Sequence, residues 1–292
     1  METINNSILT VQVAEHGAEL QSIQKNGKEY LWQGDARFWG RRSPVLFPIV
    51  GRVWNNIYRH EGKNYELGQH GFARDMDFKL LSKESDRIEY ELESTPESLA
   101  KYPFPFRLKI GYQLEGNQVI VSWLVENIGE TDLYFQIGAH PAFYYPDFNP
   151  ETTDRCFFAF DSTQELKYIC PVEKGCVSPE VHTLERNAEG LMPVDIHTFD
   201  CDTYIFENKQ VKKITLLDKA KNPYLSLEFD TPLVAIWSPT KQHPDCPFIC
   251  IEPWYGRCDS MGYEGEYKEK DWIQKLVAGG IFEATYKIII EE

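Results

Sequence analysis

No stretch of this chain approaches the roughly 18 consecutive apolar residues of a membrane-spanning helix. The opening Met-Glu-Thr-Ile-Asn-Asn has neither the basic nor the apolar region of an export signal, so we expect a cytoplasmic protein. Positive charge is in short supply. Thirty Lys and Arg face 45 Asp and Glu, and the resulting formal net charge of −15 repels nucleic-acid phosphates and anionic lipid, so neither is an expected partner. Seven cysteines, an odd count with no export signal, favour free thiols over a disulfide framework. Paired Cys-x2-Cys knuckles are missing. The nearest approach to a metal cluster is His243, Cys246, Cys250 and Cys258, with Cys250 in an expected strand and the others in loops, and we expect no metal site. Also absent are Gly-x-Gly-x-x-Gly, Gly-x4-Gly-Lys-Ser/Thr and Gly-x-Ser-x-Gly, the signatures of dinucleotide binding, P-loop chemistry and serine hydrolysis. A cofactor-free reaction is what remains.

What is present is alternation. Ile8 to Val13, Glu19 to Ile23 and Arg107 to Leu114 repeat apolar residues with a period of two, the mark of strands with one wet face. The last is followed by Glu115-Gly116-Asn117-Gln118 and then Val119 to Val125, which reads as a hairpin. Asn26-Gly27 and Asp86-Arg87 mark similar reversals, and Ala284 to Ile290 is a closing strand. Helical signals are few: Pro96 to Lys101 with Thr95 as N-cap, and Lys268 to Ala278, where Trp272, Ile273, Leu276 and Val277 fall on one helical face. With 14% aromatic residues the chain has enough apolar bulk for a sizeable core. No linker, repeat or composition break divides it, so 1–292 is expected to be one all-β domain, a sandwich of antiparallel sheets with a loop-rich excursion from Pro146 to Leu191.

Three segments end on polar groups beside backbone-bending residues. His140 lies in Gly138-Ala139-His140-Pro141, and a residue before proline is held extended, which fixes its side-chain direction. A hydrogen-bonded strand-end histidine is the plainer alternative. His70 and Arg74 flank Gly71-Phe72-Ala73, where Arg74 offers a fork of donors for hydroxyls or a phosphate, unless Asp75 or Asp77 occupies it. Glu252 ends the run Pro247-Phe248-Ile249-Cys250-Ile251, which reads as a strand buried on both faces. A carboxylate there is costly unless used or paired, and burial moves its pKa towards the range of a general base. A structural pair with Arg52 or Arg257 is the alternative. Arg52 follows Gly51 in Phe47 to Val53, read as a strand broken at Gly51, and Asp202 precedes the apolar Tyr204-Ile205-Phe206. Trp237, Trp254 and Tyr255 are candidates both for the core and for stacking on a sugar.

Taken in order, Pro44 to Arg52, His70 to Arg74, Gly138 to Phe143, Asp202 to Phe206 and Ile251 to Trp254 make the chain resemble the aldose 1-epimerase (galactose mutarotase) superfamily, LacX-like branch, over nearly its whole length. The resemblance implies a large antiparallel β-supersandwich with a few short helices and an open cleft on one sheet. It implies His140 as general acid and Glu252 as general base, with Arg52, His70 and Asp202 binding the sugar. Asp200, two residues from Asp202 and expected on the same strand face, competes for that last role. The implied partner is a small-molecule sugar taken by a monomer or homodimer, and no cofactor is implied. The Ala-His-Pro-Ala-Phe setting of His140 differs from the Asn-rich lead-in of well-studied galactose mutarotases and leaves the sugar open.

The expected reaction is α/β anomer interconversion of a free aldohexose. Glu252 takes the proton of the C1 hydroxyl while a protonated His140 donates to the ring oxygen, and both titrate near neutrality. A hexose-6-phosphate 1-epimerase with Arg74 and Arg52 as phosphate clamp is one alternative, a non-catalytic sugar binder another. A glycoside hydrolase ranks last, because it needs two facing carboxylates and only Glu252 has a compelling setting.

Overall fold

Phe106–Glu115 and Gln118–Asn127 alternate buried and half-buried residues along most of their length and pair antiparallel across Gly116. In this computed structural model, which describes residues 1–291, they sit in a nine-stranded sheet. Its order is Met192–Asp195, Asp154–Phe160, Lys213–Leu217, Pro223–Phe229, Ile281–Ile290, Gln118–Asn127, Phe106–Glu115, Arg87–Glu93 and Lys79–Lys83. The closing strand Ile281–Ile290 thus lies between two segments far away in sequence and joins the halves of the sheet.

A second sheet runs Tyr204–Phe206, Leu233–Trp237, Phe248–Tyr255, Ile137–Ala139 and Val45–Leu46, with Ala142–Tyr144 also paired to Phe248–Tyr255. Its central strand is buried on both faces, as the unbroken apolar run implied. Ile249 and Ile251 join a cluster reaching from Ile4 to Ile290 that includes Leu108, Val121 and Ile288 of the large sheet. Each buried isoleucine contributes about 1.5–3 kcal/mol. Phe248, Cys250 and Trp254, on the other face, belong to two smaller clusters, with Trp32 and Ala142 in one and Leu46, Ile169 and Val177 in the other. The fold is a large antiparallel β-supersandwich, and a four-stranded sheet from Glu2–Asn5 to Lys28–Glu29 is built at its N-terminus.

Pro96–Lys101 is a helix, with Thr95 and Ser98 exchanging capping hydrogen bonds. Lys268 to Ala278 is not. Tyr267–Glu269 makes one 3-10 turn, Trp272 takes φ +60°, and Gln274–Leu276 is a strand paired with Leu133–Phe135. Val277, counted on the apolar face, is exposed, and the Trp272 indole donates to Glu207, so the helical spacing had no single surface to bury against. Residues 47–53 also depart from the expected strand. Ladder pairing ends at Leu46, because Pro48 has no N–H to donate and Gly51 takes φ +71°.

Candidate active site

Register places the two candidate proton-handling groups opposite each other. Ile137–Ala139 and Ala142–Tyr144 both pair with Phe248–Tyr255, with Gly138 facing Trp254 and Ala142 facing Cys250. Counting inward from either side sets His140 across from Glu252. The kink at Pro141 interrupts the ladder between them without losing register, and His140 Nε2 lies 3.3 Å from Glu252 Oε2. On the far side Glu252 faces Ala235, whose short side chain leaves the carboxyl room. Gly138 is required here: a Cβ on it would lie 2.6 Å from Trp254 Cδ1, so only glycine lets the indole lie across the strand.

Both groups are buried, His140 at 7% and Glu252 at 1% exposure, yet both line a cleft of about 370 Å³. The histidine is boxed in by aromatic rings. Trp39 is tilted 30° to it at 4.7 Å, Trp237 stands nearly edge-on at 5.6 Å, and His70 stands perpendicular, also at 5.6 Å.

Burial changes the expected titrations. His140 is pushed down to about 3, first by desolvation and then by the Arg74 guanidinium, while desolvation and the Asp202 charge push Glu252 well above the usual carboxylate range. The expectation that His140 titrates near neutrality is therefore corrected, while Glu252 moves in the direction expected. Burial thus favours the uncharged form of each group, imidazole and carboxylic acid alike.

His70 is held in left-handed backbone, φ +65°, followed by Gly71 at φ +70°. A Cβ on Gly71 would meet Phe47 O at 2.2 Å. Its own backbone N–H donates to Gly51 O, and Gly51 N–H donates to its Nδ1 at 3.0 Å. That bond makes Nδ1 the acceptor and leaves the ring proton on Nε2. Burial and the neighbouring His140 and Arg74 hold its pKa well below the usual imidazole value.

Arg74 lines the cleft, donates to Gln69 O, and stands 3.8 Å from Asp75. Arg41, from a segment with no period to flag it, lines the same wall and takes Asp75 at 2.8 Å. Burial and Arg41 together lower Arg74 to about 10. Arg52 is placed differently from the other candidates. Its neighbour Gly51 lines the cleft, whereas its guanidinium donates to Gln69 Oε1 at 3.0 Å and Asn56 Oδ1 at 3.3 Å.

Asp202 lines the cleft and accepts from Thr203, in a turn with φ +77° and not on a strand. Asp200 is not on the same strand face as expected, because strand begins only at Tyr204; it pairs with His197 at 3.3 Å. Trp237 and Trp254 both line the cleft. Neither alternative partner claims Glu252, since Arg257 is taken up by Glu207 and Asp271. Trp39, Arg41, Pro171 and Gly175 are lining residues that sequence reasoning missed.

Comparison with known proteins gives one consistent answer. The family model described as aldose 1-epimerase matches residues 1–266. Protein LacX of Lactococcus lactis subsp. lactis, in its plasmid form, is 28% identical over 300 residues, covering 98% of each chain. The solved structure of a galactose mutarotase related enzyme from Lactobacillus acidophilus is 31% identical with a TM-score of 0.91, covering 100% of this chain and 97% of that one. A galactose mutarotase-like protein from Lactobacillus casei is 30% identical with a TM-score of 0.92, covering 99% of each.

Proposed function

The chain belongs to the aldose 1-epimerase family, and from that premise we propose that it interconverts the α and β anomers of an aldohexose by cofactor-independent acid–base ring opening and closing. The observation that carries the reading is the 3.3 Å approach of His140 to Glu252 at a cleft both line. Opening a pyranose removes a proton from the C1 hydroxyl and delivers one to the ring oxygen. Those two oxygens sit on the same carbon, so the groups that serve them must be neighbours as well.

The reaction needs one proton on the pair, not a particular owner of it. Glu252 as carboxylate takes the hydroxyl proton while His140 as imidazolium gives one to the ring oxygen, which leaves a neutral imidazole and a carboxylic acid beside the open-chain aldehyde. Burial disfavours the charged form of each group and so favours that same uncharged distribution. Rotation about C1–C2 presents the other face of the aldehyde, and the same transfers run backwards to close the ring.

The walls suit a sugar ring. Trp39 and Trp237 offer apolar faces, His70 Nε2–H a donor, and Asp202 an acceptor. A second reading, that the sugar carries a phosphate, is favoured by one observation: Arg41 and Arg74 share a single carboxylate, Asp75, in a chain of net charge −15. A surplus of guanidinium in an acidic protein suits a substrate that brings its own negative charge.

Exchange NMR of anomer interconversion with glucose, galactose and glucose 6-phosphate tests both readings. Acceleration of a free hexose supports the first and acceleration confined to the phosphate the second. Binding without acceleration of any sugar identifies a non-catalytic binder.

A further inference from the structure

Cys250 is a buried group beside the site that the proton shuttle does not use. It lies two residues before Glu252 on Phe248–Tyr255, so both side chains leave the same face of the strand, and it stands opposite Ala142, two residues past His140. Donor atoms of His140, Cys250 and Glu252 all lie within 4.8 Å of one another, and all three residues are buried. Both carboxyl oxygens of Glu252, at 1% exposure, lack a hydrogen-bond partner, as does His140 Nδ1. Cys250 belonged to the cluster considered from sequence; Cys246 of that cluster packs with it in the same apolar group, but the ligand atoms that converge with its sulfur are those of His140 and Glu252.

We infer that His140, Cys250 and Glu252 form a binding site for Zn²⁺, and that the ion stops anomerisation by occupying both members of the proton pair. The binding half stands on this geometry alone; the inhibition half rests on the proposed epimerase reading. Sulfur, imidazole and carboxylate are the ligand types zinc takes, and three protein ligands leave its fourth position open towards the cleft. Tetrahedral zinc with bonds of about 2.0–2.3 Å spaces its ligands by roughly 3.3–3.7 Å, so the trio closes by on the order of 1 Å to hold it.

The charges also balance. A thiolate and a carboxylate neutralise the dication, and the imidazole must be neutral to ligate. Of the other groups facing the cleft, Arg41 and Arg74 oppose a cation, Asp202 favours one, and His70 is neutral. Binding is a proton exchange: the Cys250 thiol releases a proton as its sulfur bonds to zinc, so affinity rises with pH. Burial raises both Cys250 and Glu252, which makes zinc compete with tightly held protons.

Zn²⁺ titrated by calorimetry into the chelator-treated full chain, in two buffers of different ionisation enthalpy, reads stoichiometry and proton release. Co²⁺ in place of zinc reports a thiolate ligand by its charge-transfer absorption. The expected result is one ion per chain, net proton release on binding, a thiolate–cobalt band, and anomerisation lost with Zn²⁺ and restored by chelator. Cys250→Ala is expected to keep its metal-free anomerisation rate, lose the cobalt band and bind Zn²⁺ at least about tenfold more weakly. Cys250→Val, which fills more of the same space, serves if the alanine variant does not fold. Absence of the band in the parent, or unchanged Zn²⁺ affinity in the folded Cys250 variant, overturns the site. Cys250-dependent zinc binding in a protein that accelerates no sugar upholds the site and rejects the epimerase reading.

Discussion

Replacing His140 by glutamine should make the protein less sensitive to acid, even though it removes a group placed at the centre of the chemistry. The native imidazole is held down to about 3 against an ordinary 6.5, so the unfolded chain binds a proton that the native chain refuses. A depressed folded-state pKa gives stability that is complete above the unfolded value and is lost as pH falls towards the folded one. The interval is three and a half units. At about 1.4 kcal/mol per unit, this one group removes up to about 5 kcal/mol between pH 6.5 and 3. His140→Gln has no such loss, though its buried amide adds a pH-independent cost of about 1–3 kcal/mol.

Glu252→Gln is the mirror case. Its carboxyl is raised, so its contribution is present below the unfolded value of 4.5 and lost as pH rises through the folded one. The variant should therefore gain on the parent by about 1.4 kcal/mol per pH unit above 4.5, up to the native ionisation. Urea unfolding of parent and both variants at a series of pH values provides the comparison. Curves for His140→Gln and the parent that stay parallel from pH 6.5 down to 4 would refute the claim that the imidazole is buried neutral.

Other consequences are separate in space. Gly138→Ala drives a Cβ to 2.6 Å from Trp254 Cδ1, and overpacking of this kind should cost about 1–3 kcal/mol, read as a fall of about 2–4 °C in melting temperature per kcal/mol. Lys270 and Asp259 form a buried ion pair at 2.5 Å, so Lys270→Met should destabilise by about 3–5 kcal/mol in thermal or denaturant unfolding. Arg74→Met should lower kcat/KM for glucose 6-phosphate about 10- to 150-fold while changing that for glucose far less, if a phosphate is bound where Arg41 and Arg74 meet. Equal losses for both sugars would assign Arg74 to the ring.

Legibility of the site in sequence followed the physics of each residue. Glu252 was conspicuous because an acid in an apolar run must be paired or used, and His140 because a proline fixes the residue before it. Their shared register was not readable: it depends on two short strands, each of three residues, docking on one neighbour. Trp39 and Arg41 were missed because they come from a loop fixed by tertiary bonds, such as that from Trp32 Nε1 to Trp39 O at 2.8 Å, and loops of this kind have no period. Arg52 was expected at the sugar; its guanidinium donates to Gln69, a residue of the cleft wall, a contact that the break at Gly51 did not reveal in sequence.

Fold class was legible because alternation survives wherever one face of a strand is wet. The expected helix at Lys268 to Ala278 failed because a four-residue coincidence of apolar spacing is weaker than a strand partner at Leu133–Phe135.

The account stands most directly on the rate at which the anomers of the responding sugar exchange, measured at equilibrium by NMR for the parent and for His140→Ala at matched concentrations. Loss of the proton shuttle predicts a fall of about 10²–10⁴-fold in the catalysed rate with the sugar still bound. A variant that exchanges anomers about as fast as the parent would contradict it.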